Sequence, residues 1–96
     1  MKQEILERLK IEVKACKKYT ESSIKKSKEG RIGSAIEFLE IAITAKKCAS
    51  QAHEDLWNAS HGILTNEEFE LFAESETLDK QIQTAYNELQ KAINRL

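Results

Sequence analysis

The sequence predicts an all-α protein, an up-down-up antiparallel three-helix bundle with long helices over about residues 2–28, 34–60 and 66–96. The 96-residue chain has no proline and only three glycines, so helix can continue through nearly all of it. Apolar residues recur at alternating spacings of three and four, which places them on one side of a helix. Glycines interrupt this pattern around Gly30 and Gly62 only. The chain therefore forms one domain, 1–96, of three segments joined by short turns, and short turns make neighbouring helices antiparallel.

The first predicted helix carries a single inward stripe of side chains. The stripe is apolar at its start and ends in small hydroxyl side chains. Gly30 is expected to end the helix, because glycine adopts the left-handed cap conformation without steric cost. The stripe consists of Leu6, Leu9, Val13, Cys16, Thr20, Ser23 and Ser27.

The second predicted helix begins at a capping box that runs from Ser34 to Glu37. Two adjacent apolar stripes follow, and a face of that width suits a helix packed against two neighbours. The helix is expected to end near Ser60, before Gly62. One stripe holds Ala35, Leu39, Ala42 and Ala49, and the other holds Phe38, Ile41, Ala45, Cys48 and Ala52.

The third predicted helix begins at a second capping box, from Thr65 to Glu68. Its apolar spacing alternates strictly by four and three, so it forms a narrow seam with Phe72, Tyr86 and Ile93 widening one side. The seam consists of Leu71, Ser75, Leu78, Ile82, Ala85, Leu89, Ala92 and Leu96.

Charge and motifs exclude several functional classes. A net charge of −1 argues against a nucleic-acid partner, since such domains are usually basic. The apolar runs are too short to cross a bilayer, and the start lacks the apolar core of a signal peptide, so we expect no membrane partner and a cytoplasmic location. The sequence contains no glycine-rich phosphate loop, zinc-protease motif or di-iron Glu-x-x-His pair, and a serine triad is not evident. We therefore expect no cofactor, no metal and no enzymatic activity.

The two cysteines invite a separate hypothesis. Cys16 and Cys48 each lie sixteen residues from Ile32, at the centre of the first turn. An antiparallel hairpin then places both sulfurs at the same height on facing helices. Such a pair is either two small core residues or a redox-sensitive staple, and helix axes ~8–10 Å apart permit both.

A polar stretch of the inward stripe suggests a second site. Thr20 and Ser23 occupy core positions, and buried hydroxyls need hydrogen-bond partners. They belong to an internal network or a wet cavity, or to a surface that another subunit or the solvent covers. If a small polar ligand binds there, Tyr19 and Tyr86 are expected to wall the pocket.

The widened seam of the third helix suggests an interface. Phe72, Tyr86 and Ile93 offer more apolar surface than two neighbouring helices need, and exposed patches of this kind mark interaction sites. Trp57, the only tryptophan, either closes the end of the core or adds a partner contact. The leading hypothesis is a non-enzymatic interaction module that self-associates as a dimer or trimer. The alternative is a degenerate phosphocarrier-like or small-ligand-binding domain.

The alternative comes from a resemblance. Residues 25–53, with Lys28-Glu29-Gly30 at the end of the first helix, Ala35 opening the second and Ala52-His53 near its end, are similar to the lactose/cellobiose-type IIA phosphocarriers of the bacterial sugar phosphotransferase system. The resemblance implies a three-helix chain that assembles as a trimer. That family has its phosphoryl-accepting histidine early in the third helix, where this chain has Phe72-Ala73-Glu74-Ser75-Glu76. The resemblance therefore implies that phosphoryl transfer has been lost, and that Ser75 replaces a metal-binding acid of the trimer core.

Overall fold

The computed structural model describes residues 2–96 and confirms an all-α bundle. Helix α1 spans Lys2–Lys28, α2 spans Ile32–Ser60, α3 spans Asn66–Glu76 and α4 spans Leu78–Asn94. Because α3 and α4 are joined by a bend, they act as the single third rod that the sequence predicts. The molecule is a rod of 50 × 17 × 15 Å measured on Cα atoms.

The first turn is tighter than predicted. Gly30 has φ +78°, and the N–H of Arg31 donates to the carbonyl of Lys26 at 2.9 Å, which together form a Schellman cap. After this turn Ile32 is already helical, so α2 begins there. Arg31 occupies the N-cap position, and its side chain makes no capping hydrogen bond. The predicted start at a Ser34 capping box is therefore wrong, because Ser34 lies inside the first turn of α2.

The second turn ends α2 at Ser60, as predicted. His61 adopts the left-handed conformation with φ 53°, and the N–H of Gly62 donates to the carbonyl of Trp57 at 3.3 Å. The capping box at the start of α3 is confirmed. Thr65 Oγ1 accepts from the N–H of Glu68 at 3.2 Å, and the Glu68 carboxylate accepts from the N–H of Thr65 at 3.4 Å.

The third rod is interrupted at Thr77, which the sequence analysis did not predict. Thr77 Oγ1 donates to the carbonyl of Glu74 at 2.7 Å, and its N–H donates to the same carbonyl at 3.1 Å. A hydroxyl that bonds back to the preceding turn tightens and bends a helix. Helical bonding resumes when the N–H of Gln81 donates to the carbonyl of Thr77. The regular helix ends at Asn94, two residues before the predicted end at Leu96.

The core runs along the centre of the rod. All seven predicted inward residues of α1 are buried, and so is the seam of the third rod from Leu71 to Ala92. In α2 the first predicted stripe is buried, but the second is only partly correct, because Ile41 and Cys48 are exposed. The buried face of α2 is rich in alanine, which allows neighbouring helices to approach closely. It consists of Ala35, Leu39, Ala42, Ala45, Ala49, Ala52, Leu56 and Ser60.

Among residues 2–96, none of the helices combines the length and apolar character needed to cross a membrane.

Candidate interaction surface

Phe72 is a core residue, contrary to the prediction that it forms part of an exposed interface. Only 8% of its surface is exposed, and its ring packs on His53 with centroids 3.7 Å apart. Trp57 lies on the other side, 6.3 Å from Phe72 between centroids, and remains 48% exposed. The turn from α2 to α3 folds Phe72 against α2 and thereby fills the end of the bundle.

The predicted cysteine pair does not form. Cys16 is buried while Cys48 is exposed, and both are free thiols. Equal distance from the turn predicted equal height, but it did not determine the rotation of α2, which directs Cys48 outward. Burial raises the pKa of the Cys16 thiol, and the Thr20 hydroxyl and Lys46 ammonium offset this only in part. A buried thiol with a raised pKa is chemically inert.

The predicted polar pocket is not assembled around its four residues. Ser23 Oγ donates to the carbonyl of Ala35 at 2.7 Å and so fastens α1 to the start of α2. Tyr19 stacks on Phe38, with ring centroids 6.0 Å apart, and Tyr86 is 47% exposed on α4. Each of these side chains contributes to a different part of the molecule.

Thr20 lines a shallow cleft between α1 and α4, although its hydroxyl is buried. Within the described chain, Thr20 Oγ1 and Ser27 Oγ make no hydrogen bond of normal geometry. The neighbouring sulfur of Cys16 is only a weak acceptor. The cleft has a volume of about 360 Å³ and is lined by Lys17, Thr20, Glu21, Ile24, Gln81 and Thr84.

One edge of α4 combines a charge with two apolar side chains. Asp79, Tyr86 and Ile93 recur every seven residues and therefore share this edge. Asp79 Oδ1 lies 3.0 Å from the ammonium of Lys46, so this edge is turned toward α2. Tyr86 is 47% and Ile93 39% exposed, as a predicted interface requires.

The facing edge of α2 is apolar too. Ile36 and Ile43 follow the buried Ala35 and Ala42 by one residue each, and Lys46 follows Ile43 by three. Ile36 is 39% exposed, and Ile32 and Ile43 are partly buried against the core. We call Ile32, Ile36, Ile43, Tyr86 and Ile93 together the α2/α4 face.

Ion pairs bridge part of two other grooves of the bundle, although clefts remain between α1 and α2 and between α1 and α4. Between α1 and α3, Lys10 lies 2.5 Å from Glu67, and Lys17 pairs with Glu74. Between α1 and α2, Arg8 lies 2.5 Å from Asp55. Within residues 2–96, the one ion pair at the α2/α4 face is Lys46–Asp79, at one end.

The rim of the α2/α4 face is polar on α4 and charged on α2. On α4, Gln83 donates to Asn87 and Gln90 donates to Asn94, each at 3.1 Å. On α2, Glu40 and Lys47 flank Ile43, and neither forms an ion pair with another residue in the range 2–96. An apolar strip with a polar rim is typical of a protein–protein contact.

The α2 half of this face was not predicted from the sequence. The signal was present, because Ile36 and Ile43 have the same spacing as Tyr86 and Ile93. The predicted stripes placed α2's apolar excess on its other side, at Ile41 and Cys48, so the two isoleucines were assigned to no surface.

In the described part of the chain, no three or more His, Cys, Asp or Glu side chains are grouped so that they could hold a metal ion. Comparisons of this chain with models of known families, with curated proteins and with solved structures found no match.

Proposed function

We propose that this protein is a non-enzymatic assembly module that self-associates through the α2/α4 face. The observation that carries the proposal is the alignment of exposed apolar residues on two neighbouring helices. Tyr86 and Ile93 lie on the edge of α4 that the Lys46–Asp79 ion pair turns toward α2. Ile36 and Ile43 lie on the matching edge of α2.

The apolar residues of the α2/α4 face extend far enough along the rod to pack against another helix. Antiparallel helices held level at Lys46 and Asp79 place Ile32 beside Ile93 and Leu39 beside Tyr86. From Ile32 to Lys46 the strip runs roughly 20 Å along α2, at ~1.5 Å per residue. Burying Tyr86 and its isoleucine neighbours against a second copy removes apolar surface from water, which favours association.

The test is molar mass by light scattering over a range of concentrations, in reductant so that the exposed Cys48 cannot link chains. We expect a multiple of the 11.0 kDa chain mass. Ile36→Glu and Ile93→Glu should each shift the protein toward monomer, because a buried unpaired carboxylate disfavours the complex. A strict monomer at the highest concentration contradicts the proposal.

Matched controls locate the contact. Ile11 on α1 is 63% exposed and lies outside the α2/α4 face, so Ile11→Glu should leave the mass unchanged. Phe69, 67% exposed near the second turn, tests the other end of the molecule. If Phe69→Glu dissociates the assembly and Ile36→Glu does not, the contact lies at the turn and the assignment to the α2/α4 face is wrong.

A second candidate function is binding of a small polar ligand, which the Thr20 cleft favours. A buried hydroxyl without a good partner stands behind the cleft, and Lys17, Gln81 and Thr84 supply polar groups at its wall. A screen of small polar metabolites by chemical-shift perturbation tests this candidate. Shifts that cluster at Thr20 and Thr84 and vanish in Thr84→Val support it, while an unperturbed cleft removes it.

A further inference from the structure

We propose that the partner at the α2/α4 face is a second copy that lies parallel to the first, with a two-fold axis along the rod. In this arrangement α2 of each copy packs against α4 of the other, and Lys47 pairs with Asp79 of the partner subunit. The inference rests on the self-association proposed above and specifies its geometry.

Two symmetric arrangements align the same face of two rods along its whole length. An isologous contact has its two-fold axis in the plane of the interface, and for aligned rods that axis runs either along the helices or across them. An axis along the helices preserves height, so each α2 meets the partner's α4 at the same level. An axis across the helices reverses the direction of the second rod, so that α2 meets α2 of the partner. We call this the crossed arrangement.

The apolar residues suit the parallel arrangement. At equal height, Ile32 lies opposite Ile93 of the partner subunit, and Ile36 and Ile43 lie on either side of the level of its Tyr86, each about one turn away. The whole strip is then covered without any shift along the rod, because both halves of the face occupy the same levels.

The charges discriminate between the two arrangements. Asp79 is 78% exposed and uses Oδ1 for its own Lys46, which leaves Oδ2 facing outward. In the parallel arrangement Lys47 lies level with that carboxylate. In the crossed arrangement, Ile36 of one copy meets Ile43 of the other when the two-fold axis passes midway between these residues, close to Glu40. Glu40 then faces Glu40 of the partner subunit. Like charges face to face disfavour a complex, so the crossed arrangement is the poorer one.

Charge reversal tests the predicted ion pair. Lys47→Glu places two carboxylates together on each side of the two-fold axis, and we expect roughly tenfold weaker dimerisation at low salt, with the difference shrinking at high salt. Lys14→Glu makes the same change of net charge in the groove between α1 and α3, and should have little effect. Equal effects of the two variants would mean that only net charge matters and would overturn the pairing.

Disulfide trapping tests the orientation. In a Cys48→Ser background, a chain carrying Ile32→Cys is mixed with an isotopically labelled chain carrying Ile93→Cys, oxidised gently and analysed by intact mass. The parallel arrangement predicts a mixed disulfide dimer. The crossed arrangement predicts it instead for Ile36→Cys mixed with Ile43→Cys.

The outcomes separate the two proposals. A monomeric Cys48→Ser protein removes self-association and this geometry together. A dimer that traps the Ile36→Cys and Ile43→Cys pair, or neither pair, overturns the parallel arrangement and leaves self-association standing. Circular dichroism on each variant confirms that the bundle is folded before mixing.

Discussion

Ser60 Oγ donates a 3.1 Å hydrogen bond to Oε2 of Glu68, which joins the last residue of α2 to the first turn of α3. The other oxygen of Glu68 lies 3.0 Å from the ammonium of Lys2 and accepts the N–H of Thr65. One carboxylate, only 3% exposed, therefore ties together α1, α2 and α3 at one end of the rod. The capping box explains why the sequence has a glutamate at position 68. The burial of its carboxylate depends instead on how the three helices pack.

Removing the Ser60 hydroxyl should destabilise this junction. In Ser60→Ala the buried oxygen of Glu68 loses a donor that no solvent replaces, and we expect a loss of about 1–2 kcal/mol in the free energy of unfolding. Urea unfolding followed by circular dichroism measures it. Ser50, exposed on the same helix, is the matched control, and Ser50→Ala should change stability little. Equal effects of the two variants would mean that helix propensity, not the Glu68 contact, is responsible.

Protonation of Glu68 should lower the stability of the fold as the pH falls. Burial alone raises the pKa of this carboxyl, but Lys2, Thr65 and Ser60 together outweigh burial and hold its pKa below the ordinary value. A folded pKa below the unfolded pKa gives stability that is complete above the unfolded pKa, about 4.3, and is lost as pH falls through the folded value. Unfolding free energies from pH 7 to pH 3 should therefore fall less steeply for Glu68→Gln than for the parent. Parallel curves would contradict this assignment.

Helix spacing predicted the parts of the fold that depend on local chemistry. The seven buried positions of α1 and the Thr65 cap follow from periodicity and capping alone. The start of α2 and the bend at Thr77 were missed because competing backbone hydrogen bonds decided them. Ser34 matches a capping motif, yet the Gly30 turn had already begun the helix.

The candidate surface was predicted only in part, for a different reason. Spacing identifies which residues share a stripe, but the rotation of each helix about its own axis decides which flank of the stripe is buried. Packing buries Phe72 and exposes Tyr86, although both flank the same seam. The same rotation directs Cys48 outward and brings Ile36 beside the edge of α4.

Alanine should be strained at Gly30 and at Gly62, but only at Gly62 should it also alter the surroundings of Trp57. Gly30 and Gly62 have φ +78° and +77°, so alanine is strained at both, by about 1 kcal/mol or more. An added Cβ at Gly30 meets open space, whereas at Gly62 it lies 3.4 Å from Cζ2 of Trp57. Both alanine variants should lower the melting temperature, but only Gly62→Ala should also shift the emission of Trp57. An unchanged emission spectrum in Gly62→Ala would contradict the close contact.

The two thiols should differ sharply in reactivity. Cys48 is exposed, while Cys16 is buried and burial raises its pKa. Titration of the folded protein with a chromogenic disulfide reagent should modify one thiol rapidly, and the second only at the rate of unfolding. Cys48→Ser should remove the fast phase, and Cys16→Ser the slow one. Two fast phases would mean that the core around Cys16 opens readily.

Removing the hydroxyl of Ser23 and removing that of Thr20 should have opposite effects on the free energy of unfolding. Ser23 donates to the carbonyl of Ala35, so Ser23→Ala leaves a buried carbonyl without this donor and should cost about 1–2 kcal/mol. Within residues 2–96 Thr20 Oγ1 has no good partner, so Thr20→Val removes a buried polar group, retains the shape and should be neutral or stabilising. Denaturant midpoints of the two variants measure the contrast directly. If Thr20→Val is instead strongly destabilising, its hydroxyl binds a water or ligand in the cleft, and the second candidate function gains weight over an inert packing defect.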